Sequence, residues 1–191
     1  EGYSRDRGAA ALAAYPDSDI PPERQVSVAG FMLEAFCDMT DFPALAGVGG
    51  VRRLYEPGHA LEERSVSGDL LTNIFAAGTS NTEWAFVAGY SDHEDFRAPA
   101  GSYAWYLRSQ GYQTFGSHPG YAWFYNRQNV NEYLGFQDYR FLENYYGDYM
   151  DAVAAVCNSD SFLFGAELDY LEERIKEGPC FSFSVTYQNH G

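Results

Sequence analysis

The sequence is poor in basic residues. Its 12 Lys and Arg stand against 27 Asp and Glu, which gives the 191 residues a net charge of −15 at pH 7. Because binding to nucleic-acid phosphates requires a basic patch, this balance argues against nucleic acid as a partner. It also argues against docking of the bulk surface onto anionic lipid headgroups. An anionic substrate would therefore need local positive charge, from a metal ion or from one or two Arg or His side chains.

Cysteines and long apolar runs are scarce as well. Cys37, Cys157 and Cys180 lie far apart and form no C-x-x-C pair, so we expect buried free thiols and neither a zinc site nor a disulfide framework. No apolar run approaches the roughly 18 to 20 residues that span a bilayer, and we identify no signal peptide. The chain opens at Glu1 without a Met, and we expect it to be a piece of a longer protein.

The residues that are present predict a globular protein with one domain. The hydrophobic fraction is 46% and the aromatic fraction 17%, which is enough for a substantial core. Residues 1–24 contain Pro16, Pro21 and Pro22 and are interpreted as a lead-in segment, because these prolines prevent a continuous helix. Residues 25–191 then form the domain.

Strand and helix patterns alternate along this domain. Short apolar runs at 26–33, 112–116 and 180–187 predict strands, and the first run is unbroken enough for a strand buried on both faces. Residues 38–65 are interpreted as loop with one or two short helices. The alternation predicts an α/β fold, a three-layer α/β/α sandwich with a mostly parallel sheet. Helices are expected at 68–75, from residue 81 to about 88, and at 102–110, 129–134 and 160–177, the last capped by Asp160.

Polar residues follow the predicted strands at the edge where parallel sheets bind ligands. Glu34 ends the first strand, Ser117 and His118 follow the second, and His190 follows the third. A buried carboxylate at a strand end is costly unless it is paired or bound to a metal, so Glu34 is a candidate metal ligand or salt-bridge partner.

A hydroxyl residue follows a glycine at Gly78-Thr79. Ser80 and Glu83 have the spacing of a capping box, so a helix is expected to begin near residue 81 with Thr79 at its N-terminus. Thr79 could be an activated nucleophile, the anchor of a phosphate site or an ordinary capping hydroxyl. Arg127 suits bidentate phosphate binding, or it could pair with one of the many carboxylates.

Together these residues resemble a divalent-metal site for phosphoryl transfer. Thr79 would attack in line and form a phospho-threonine intermediate, while His118, Arg127 and His190 would contact the substrate. The oxygen ligands Glu34 and Thr79 favour Mn²⁺ or Mg²⁺, with Zn²⁺ as a further option.

The chain resembles the lipoteichoic acid synthase and phosphoglycerol transferase family, a sulfatase-like branch of the alkaline phosphatase superfamily. The likeness covers roughly residues 25–191. Its most specific segment is 111–127 (GYQTFGSHPGYAWFYNR), where His118 and Arg127 fall on the family's substrate-contacting residues. Glu34 falls on the metal-binding Glu, Thr79 on the catalytic Thr that also binds metal, and His190 on a further active-site His. Shorter matches lie at 28–42, 78–84, 134–136, 160–163 and 184–190.

The resemblance implies transfer of glycerol phosphate from phosphatidylglycerol to a glycan or polymer acceptor. It implies a protein anchored in a bacterial membrane by N-terminal helices, with its catalytic domain on the extracytoplasmic side. The family completes its metal site with an Asp-His pair and has further strands downstream of the segment that matches His190. We therefore expect the C-terminal part of the domain to be missing, the 191-residue chain to be inactive with metal weakly bound or absent, and an unpaired sheet edge to promote self-association.

The resemblance leaves other functions open. A sulfatase proper needs a Cys or Ser in a C/S-x-P-x-R motif, and residues 79–83 (TSNTE) contain neither the Pro nor the Arg. A phosphoethanolamine transferase also uses a Thr nucleophile, and another hydrolase of the sulfatase family is conceivable. The non-enzymatic alternative is a ligand-binding module that has kept the fold. Gly120 and Tyr125 stand where some members have an acidic residue and a Trp, which affects headgroup recognition.

Overall fold

The computed structural model describes residues 4–68, 70–72, 74, 78–89, 96–152 and 159–188. Its sheet has four parallel strands in the order β1-β4-β2-β3. The strands are β1 (Val28–Met32), β2 (Gln113–Ser117), β3 (Asp138–Arg140) and β4 (Cys180–Val185). Parallel pairing gives all four strands the same direction, so the loops that follow them meet at one edge of the sheet.

Seven α-helices are present in the described part of the chain. The sequence favours several of their ends, since Ser102 caps one helix by accepting a bond from Trp105 N–H and Ser159 caps another through Phe162 N–H. The helices are α1 (Arg5–Leu12), α2 (Pro43–Ala46), α3 (Gly49–Glu62), α4 (Thr79–Ala88), α5 (Tyr103–Ser109), α6 (Arg127–Tyr133) and α7 (Asp160–Arg174). Short 3₁₀ helices lie at Pro22–Arg24, Met39–Asp41, Phe124–Asn126 and Tyr146–Ala152.

Helices cover both faces of the sheet, which confirms the α/β sandwich. Side chains of β4 alternate between the two faces: Phe183 stacks on Phe86 of α4 with ring centroids 5.6 Å apart, while Ser182 donates to Glu167 of α7 on the opposite face. The apolar core lies between the sheet and the helices α4, α5 and α6. Its buried members include Trp84, Val87, Ala104, Val130, Leu134, Phe136, Phe181, Phe183 and Val185.

The structure differs from the sequence-based expectations at five elements. The segment 38–65 contains the 14-residue α3 where only short helices were expected, and β3 was not expected at all. Strand β1 is not buried on both faces, because its first two residues are exposed and the other three are only half-buried. Ser159, not Asp160, caps α7. Of the predicted helix at 68–75, the described residues are irregular and the others lie outside the described part.

The cysteines divide between the surface and the core. Cys180 is a buried free thiol, whereas Cys37 is a free thiol on the surface, contrary to the expectation of burial. Cys157 lies outside the described residues. Within the described part of the chain, every helix is too short or too polar to cross a membrane.

Candidate active site

The carboxyl ends of three neighbouring strands form the site. Met32 at the end of β1 lies in register with Val185 at the end of β4, and Ser117 at the end of β2 lies in register with Ser184. Glu34 and His118 follow β1 and β2 directly, so the topology brings both to the same edge. The segment after β4 supports both of them.

Glu34 is fixed in a turn beyond β1. Its backbone N–H donates to Thr186 Oγ1 at 2.8 Å, and Thr186 N–H in turn donates to the carbonyl of Met32 at 3.0 Å. Ala35 adopts φ = 51°, a left-handed conformation that reverses the chain immediately after Glu34. The Glu34 residue is buried, with 7% of its surface exposed. The carboxylate is thereby held at the sheet edge.

Thr79 is the first residue of α4, and its hydroxyl meets Glu34. Thr79 Oγ1 donates to Glu34 Oε1 at 2.7 Å. The capping box expected from Ser80 and Glu83 does not form, because the helix begins two residues earlier than expected and its N-cap is Gly78. Glycine is needed at this cap, since a Cβ there would collide with Ile74.

Glu83 forms a buried ion pair with Arg127. Arg127 Nη1 donates to Glu83 Oε2, and the Tyr139 hydroxyl donates to Glu83 Oε1 at 3.4 Å. Burial raises the pKa of Glu83, against the opposing effect of Arg127. Burial lowers the pKa of Arg127 while the carboxylates of Glu83 and Glu34 raise it, and the net direction is upward. Arg127 thus lies buried against Glu83, and the carboxylate of Glu34 adds to the electrostatic field that raises the pKa of Arg127.

His118 is buried at the same edge. Its Nδ1 lies 3.3 Å from the carbonyl of Val185, which accepts the Nδ1 hydrogen, and its ring makes an edge contact with Tyr187 at a centroid distance of 5.2 Å. In a neutral imidazole this bond assigns the proton to Nδ1 and leaves Nε2 as the acceptor nitrogen. Gly120 packs against the imidazole, and a Cβ on Gly120 would lie 2.6 Å from Nε2.

Glu34 and Thr79 supply two neighbouring oxygen atoms of the kind that hard divalent cations prefer. Among the described residues no cluster of three or more His, Cys, Asp or Glu side chains could hold a metal ion. His190 lies outside the described residues. The structure thus joins Glu34 to Thr79 and places Arg127 against Glu83, while the substrate and metal roles of these residues and of His118 stay predictions.

Sequence reasoning missed the contribution of Glu83 and Tyr139. Glu83 was interpreted as half of a capping box, yet it lies four residues after Thr79 and therefore on the same face of α4. That spacing was the available signal. The sequence contains no comparable signal for Tyr139. This residue comes from β3, and only the tertiary structure shows that β3 pairs with β2.

Comparison with known protein families identifies one domain. A profile of the sulfatase family matches residues 54–191. A curated protein of Rhizobium meliloti (strain 1021), named "Putative cyclic beta-1,2-glucan modification protein", is 29% identical over 172 residues. That alignment covers 84% of this chain and 25% of the relative.

Two solved structures share the fold. The lipoteichoic acid synthase LtaP from Listeria monocytogenes has a TM-score of 0.55 and 19% identity, over 65% of this chain and 32% of its own. The Streptococcus pyogenes phosphoglycerol transferase GacH, in complex with sn-glycerol-1-phosphate, has a TM-score of 0.51 and 15% identity, over 97% of this chain and 49% of its own. The chain thus spans a quarter to a half of the length of these relatives.

Proposed function

This chain belongs to the sulfatase family, and on that premise we propose that the full-length protein is a phosphoglycerol transferase that takes its donor group from a phospholipid. The fold shared with a lipoteichoic acid synthase and a phosphoglycerol transferase supports this choice within the family. The segment TSNTE at residues 79–83 lacks the Pro and Arg of a sulfatase motif, which argues against sulfate-ester chemistry.

The observation that carries the proposal is the hydrogen bond from Thr79 Oγ1 to Glu34 Oε1 at 2.7 Å. A hydroxyl becomes a useful nucleophile when an adjacent base or metal lowers its pKa. Thr79 also begins a helix, where backbone N–H groups and the helix dipole favour the negative charge of a phosphate. The Thr79 hydroxyl is therefore oriented by the Glu34 carboxylate, and it lies at a helix N-terminus that favours binding of the donor phosphate.

The first half of the reaction transfers the phosphoglycerol group to Thr79. Its Oγ1 forms a bond to the donor phosphorus while the bond from phosphorus to the diacylglycerol oxygen breaks. The Thr79 proton passes along the hydrogen bond to Glu34 and from there to solvent, and the diacylglycerol oxygen takes up a proton from solvent, so that diacylglycerol leaves as an alcohol. His118 and Arg127 are proposed to stabilise charge on the phosphate oxygens, together with His190.

The second half reverses these events with a different alcohol. A hydroxyl of the acceptor forms the new bond to phosphorus, the bond from Thr79 Oγ1 to phosphorus breaks, and Thr79 regains a proton. We propose a glycan as the acceptor, because the curated relative is named for modification of cyclic β-1,2-glucan. Such a donor and acceptor suit the extracytoplasmic face of a cell membrane.

A divalent metal is part of the proposal, since members of the family generally use one. Glu34 and Thr79 would contribute ligands, with Mn²⁺ or Mg²⁺ preferred over Zn²⁺ by their oxygen atoms. A metal bound there would polarise the phosphate and lower the pKa of the Thr79 hydroxyl.

Trapping the covalent intermediate tests the proposal. The full-length protein is incubated with phosphatidylglycerol vesicles, and the peptide that contains Thr79 is analysed by mass spectrometry. We expect glycerol phosphate on Thr79 and a loss of turnover of more than about 1,000-fold in Thr79→Ala, with partial activity in Thr79→Ser. Labelling that persists in Thr79→Ala would refute the assignment of the nucleophile.

The same experiment separates the alternatives. If phosphatidylethanolamine vesicles label Thr79 and phosphatidylglycerol vesicles do not, the protein is a phosphoethanolamine transferase. If neither donor is cleaved, and Thr79→Ala binds glycerol phosphate as the unsubstituted protein does, the protein is a binding module on the same fold.

A further inference from the structure

Four aromatic side chains lie exposed on the segment that joins His118 to Arg127. The exposed fractions are 50% for Tyr121, 62% for Trp123, 42% for Phe124 and 50% for Tyr125. Large exposed apolar patches of this kind usually mark a binding site. We refer to these four residues as the aromatic surface.

The rings of Tyr121 and Trp123 form one platform. Their centroids are 5.3 Å apart and their planes differ by 28°, so the two rings stack on one another. Phe124 stands against the edge of Trp123 at a centroid distance of 5.7 Å. The outer face of such a ring stack is flat and apolar, and it fits a ligand with C–H groups on one side, which is the shape of a pyranose ring.

The backbone beneath the platform is fixed. Both carboxylate oxygens of Glu143 accept from Ala122 N–H, at 3.1 and 2.9 Å, and the carbonyl of Ala122 accepts from Gln128 N–H at 3.1 Å. Asn126 N–H donates to the carbonyl of Trp123 at 2.9 Å. Binding to a platform that is already ordered costs little conformational entropy.

The segment carries no exposed charge. Between residues 121 and 129 the exposed side chains are the four aromatic rings and the amides of Asn126, Gln128 and Asn129, while Arg127 is buried against Glu83. In a chain with a net charge of −15, this neutral stretch matches an uncharged ligand and gives an anionic lipid surface no basic residue to bind.

A groove of about 710 Å³ begins at Ala122 and Gln128 of the same segment. Polar side chains line it, among them Gln128, Glu132, Gln137 and Glu143. Its volume falls within the range of about 300–1,000 Å³ that is usual for ligand sites. None of the four rings lines this groove, which the segment borders only through Ala122 and Gln128, but its amide and carboxylate groups suit the hydroxyls of an oligosaccharide.

We infer that the Tyr121 and Trp123 pair of the aromatic surface is the acceptor subsite and binds a neutral glycan by stacking a sugar ring on the outer face of the pair. The inference rests on the proposed function, for which it names the acceptor site. It explains why the platform lies within the eight residues that connect His118 to Arg127.

Calorimetric titration of the full-length protein with cyclic β-1,2-glucan tests the inference without requiring catalysis. We expect Trp123→Ala and Tyr121→Ala to weaken binding at least tenfold, and Trp123→Phe, which keeps an aromatic plane, to weaken it less. Tyr15→Ala is the matched control, since Tyr15 is 85% exposed and lies in the lead-in segment. The Tyr15→Ala variant should bind the glucan with the affinity of the unsubstituted protein.

A second measurement keeps this inference separate from the proposed function. With phosphatidylglycerol vesicles, the ratio of transfer to the glucan to release of diacylglycerol should be at least tenfold lower in Trp123→Ala than in the unsubstituted protein. Absence of diacylglycerol release from the unsubstituted protein would count against the proposed function alone. Equal glucan affinity in Trp123→Ala would overturn the inference, as would the absence of glucan binding by the unsubstituted protein. In the second case, Trp123-dependent sedimentation on phosphatidylcholine vesicles would identify the surface as a membrane contact.

Discussion

At the scale of single residues, glycines determine how the candidate catalytic groups are held. Gly78 lets α4 begin at Thr79 beside Ile74, and Gly120 leaves room for the imidazole of His118. Neither role depends on unusual backbone freedom, because neither glycine has a positive φ. Each is required because no Cβ fits in the space.

Gly120→Ala is expected to displace His118. The new Cβ would lie 2.6 Å from Nε2, so the ring must move away from its bond to Val185. A displacement of about 1 Å can cost about 100-fold in rate, and we expect a fall of that order in diacylglycerol release by the full-length protein. Gly101→Ala is the control, since nothing lies within 4 Å of a Cβ there. Full activity in Gly120→Ala would contradict the role given to His118.

At the scale of elements, buried ion pairs connect helices to one another and to the sheet. Glu83 of α4 binds Arg127 of α6, and Glu167 of α7 binds Arg140 of β3 on the other face. The first pair fixes the helix that begins with Thr79 relative to the helix that follows the aromatic surface. Its loss should therefore disturb the site and lower stability together.

Glu83→Gln is expected to lower the free energy of unfolding by about 3–5 kcal/mol, because it leaves the Arg127 guanidinium buried without its carboxylate. The double variant Glu83→Gln/Arg127→Gln should cost less than the sum of the single variants, since no charge is then left uncompensated. Urea unfolding of the 191-residue chain measures both effects.

The control for this pair is Glu177→Gln. Glu177 is largely exposed and lies 3.7 Å from Arg174, and such surface pairs contribute only about 0–1 kcal/mol. If Glu83→Gln were no more destabilising than Glu177→Gln, the buried pair would not be the link between α4 and α6.

The elements themselves were predictable where one local signal dominated. Short apolar runs indicated β2 and β4, and apolar residues on one side of a helix with a terminating Gly indicated α5 and α7, with ends within a few residues of those observed. Helix α3 was missed because its glycines and Pro57 obscure the pattern. Strand β3 has only three residues and is defined by its pairing with β2.

At the scale of the whole molecule, the four-stranded sheet has β1 and β3 as its outer strands among the described residues. An outer strand presents backbone N–H and C=O groups that can pair with another chain. We propose that the 191-residue chain self-associates through β1.

Sedimentation equilibrium should show a mean mass that rises with concentration for the 191-residue chain. Val28→Lys should reduce this rise, because Val28 is 42% exposed on β1 and a charge on an outer strand opposes pairing. Leu54→Lys, at a residue of α3 that is 76% exposed, should leave it unchanged. A monomer at all concentrations, or an equal effect of both variants, would contradict the proposal.

Metal affinity is also a property of the whole molecule. Because Glu34 and Thr79 together offer only two oxygen ligands, we expect Mn²⁺ binding at this pair to be weak in a calorimetric titration of the 191-residue chain. Any weak binding should disappear in Glu34→Gln. Tight stoichiometric binding of Mn²⁺ would show this prediction to be wrong.

The sequence by itself determined the α/β class, the sulfatase-like family and the order of the candidate residues, because strand and helix periodicity and short motifs are local properties. Only the tertiary structure decided that the Thr79 hydroxyl meets Glu34, 45 residues away, and that Glu83 pairs with Arg127 and does not cap its own helix. The first contact depends on the register of the parallel strands, and the second on the exclusion of water from a buried charge. Neither the register nor the burial is encoded by a local sequence pattern.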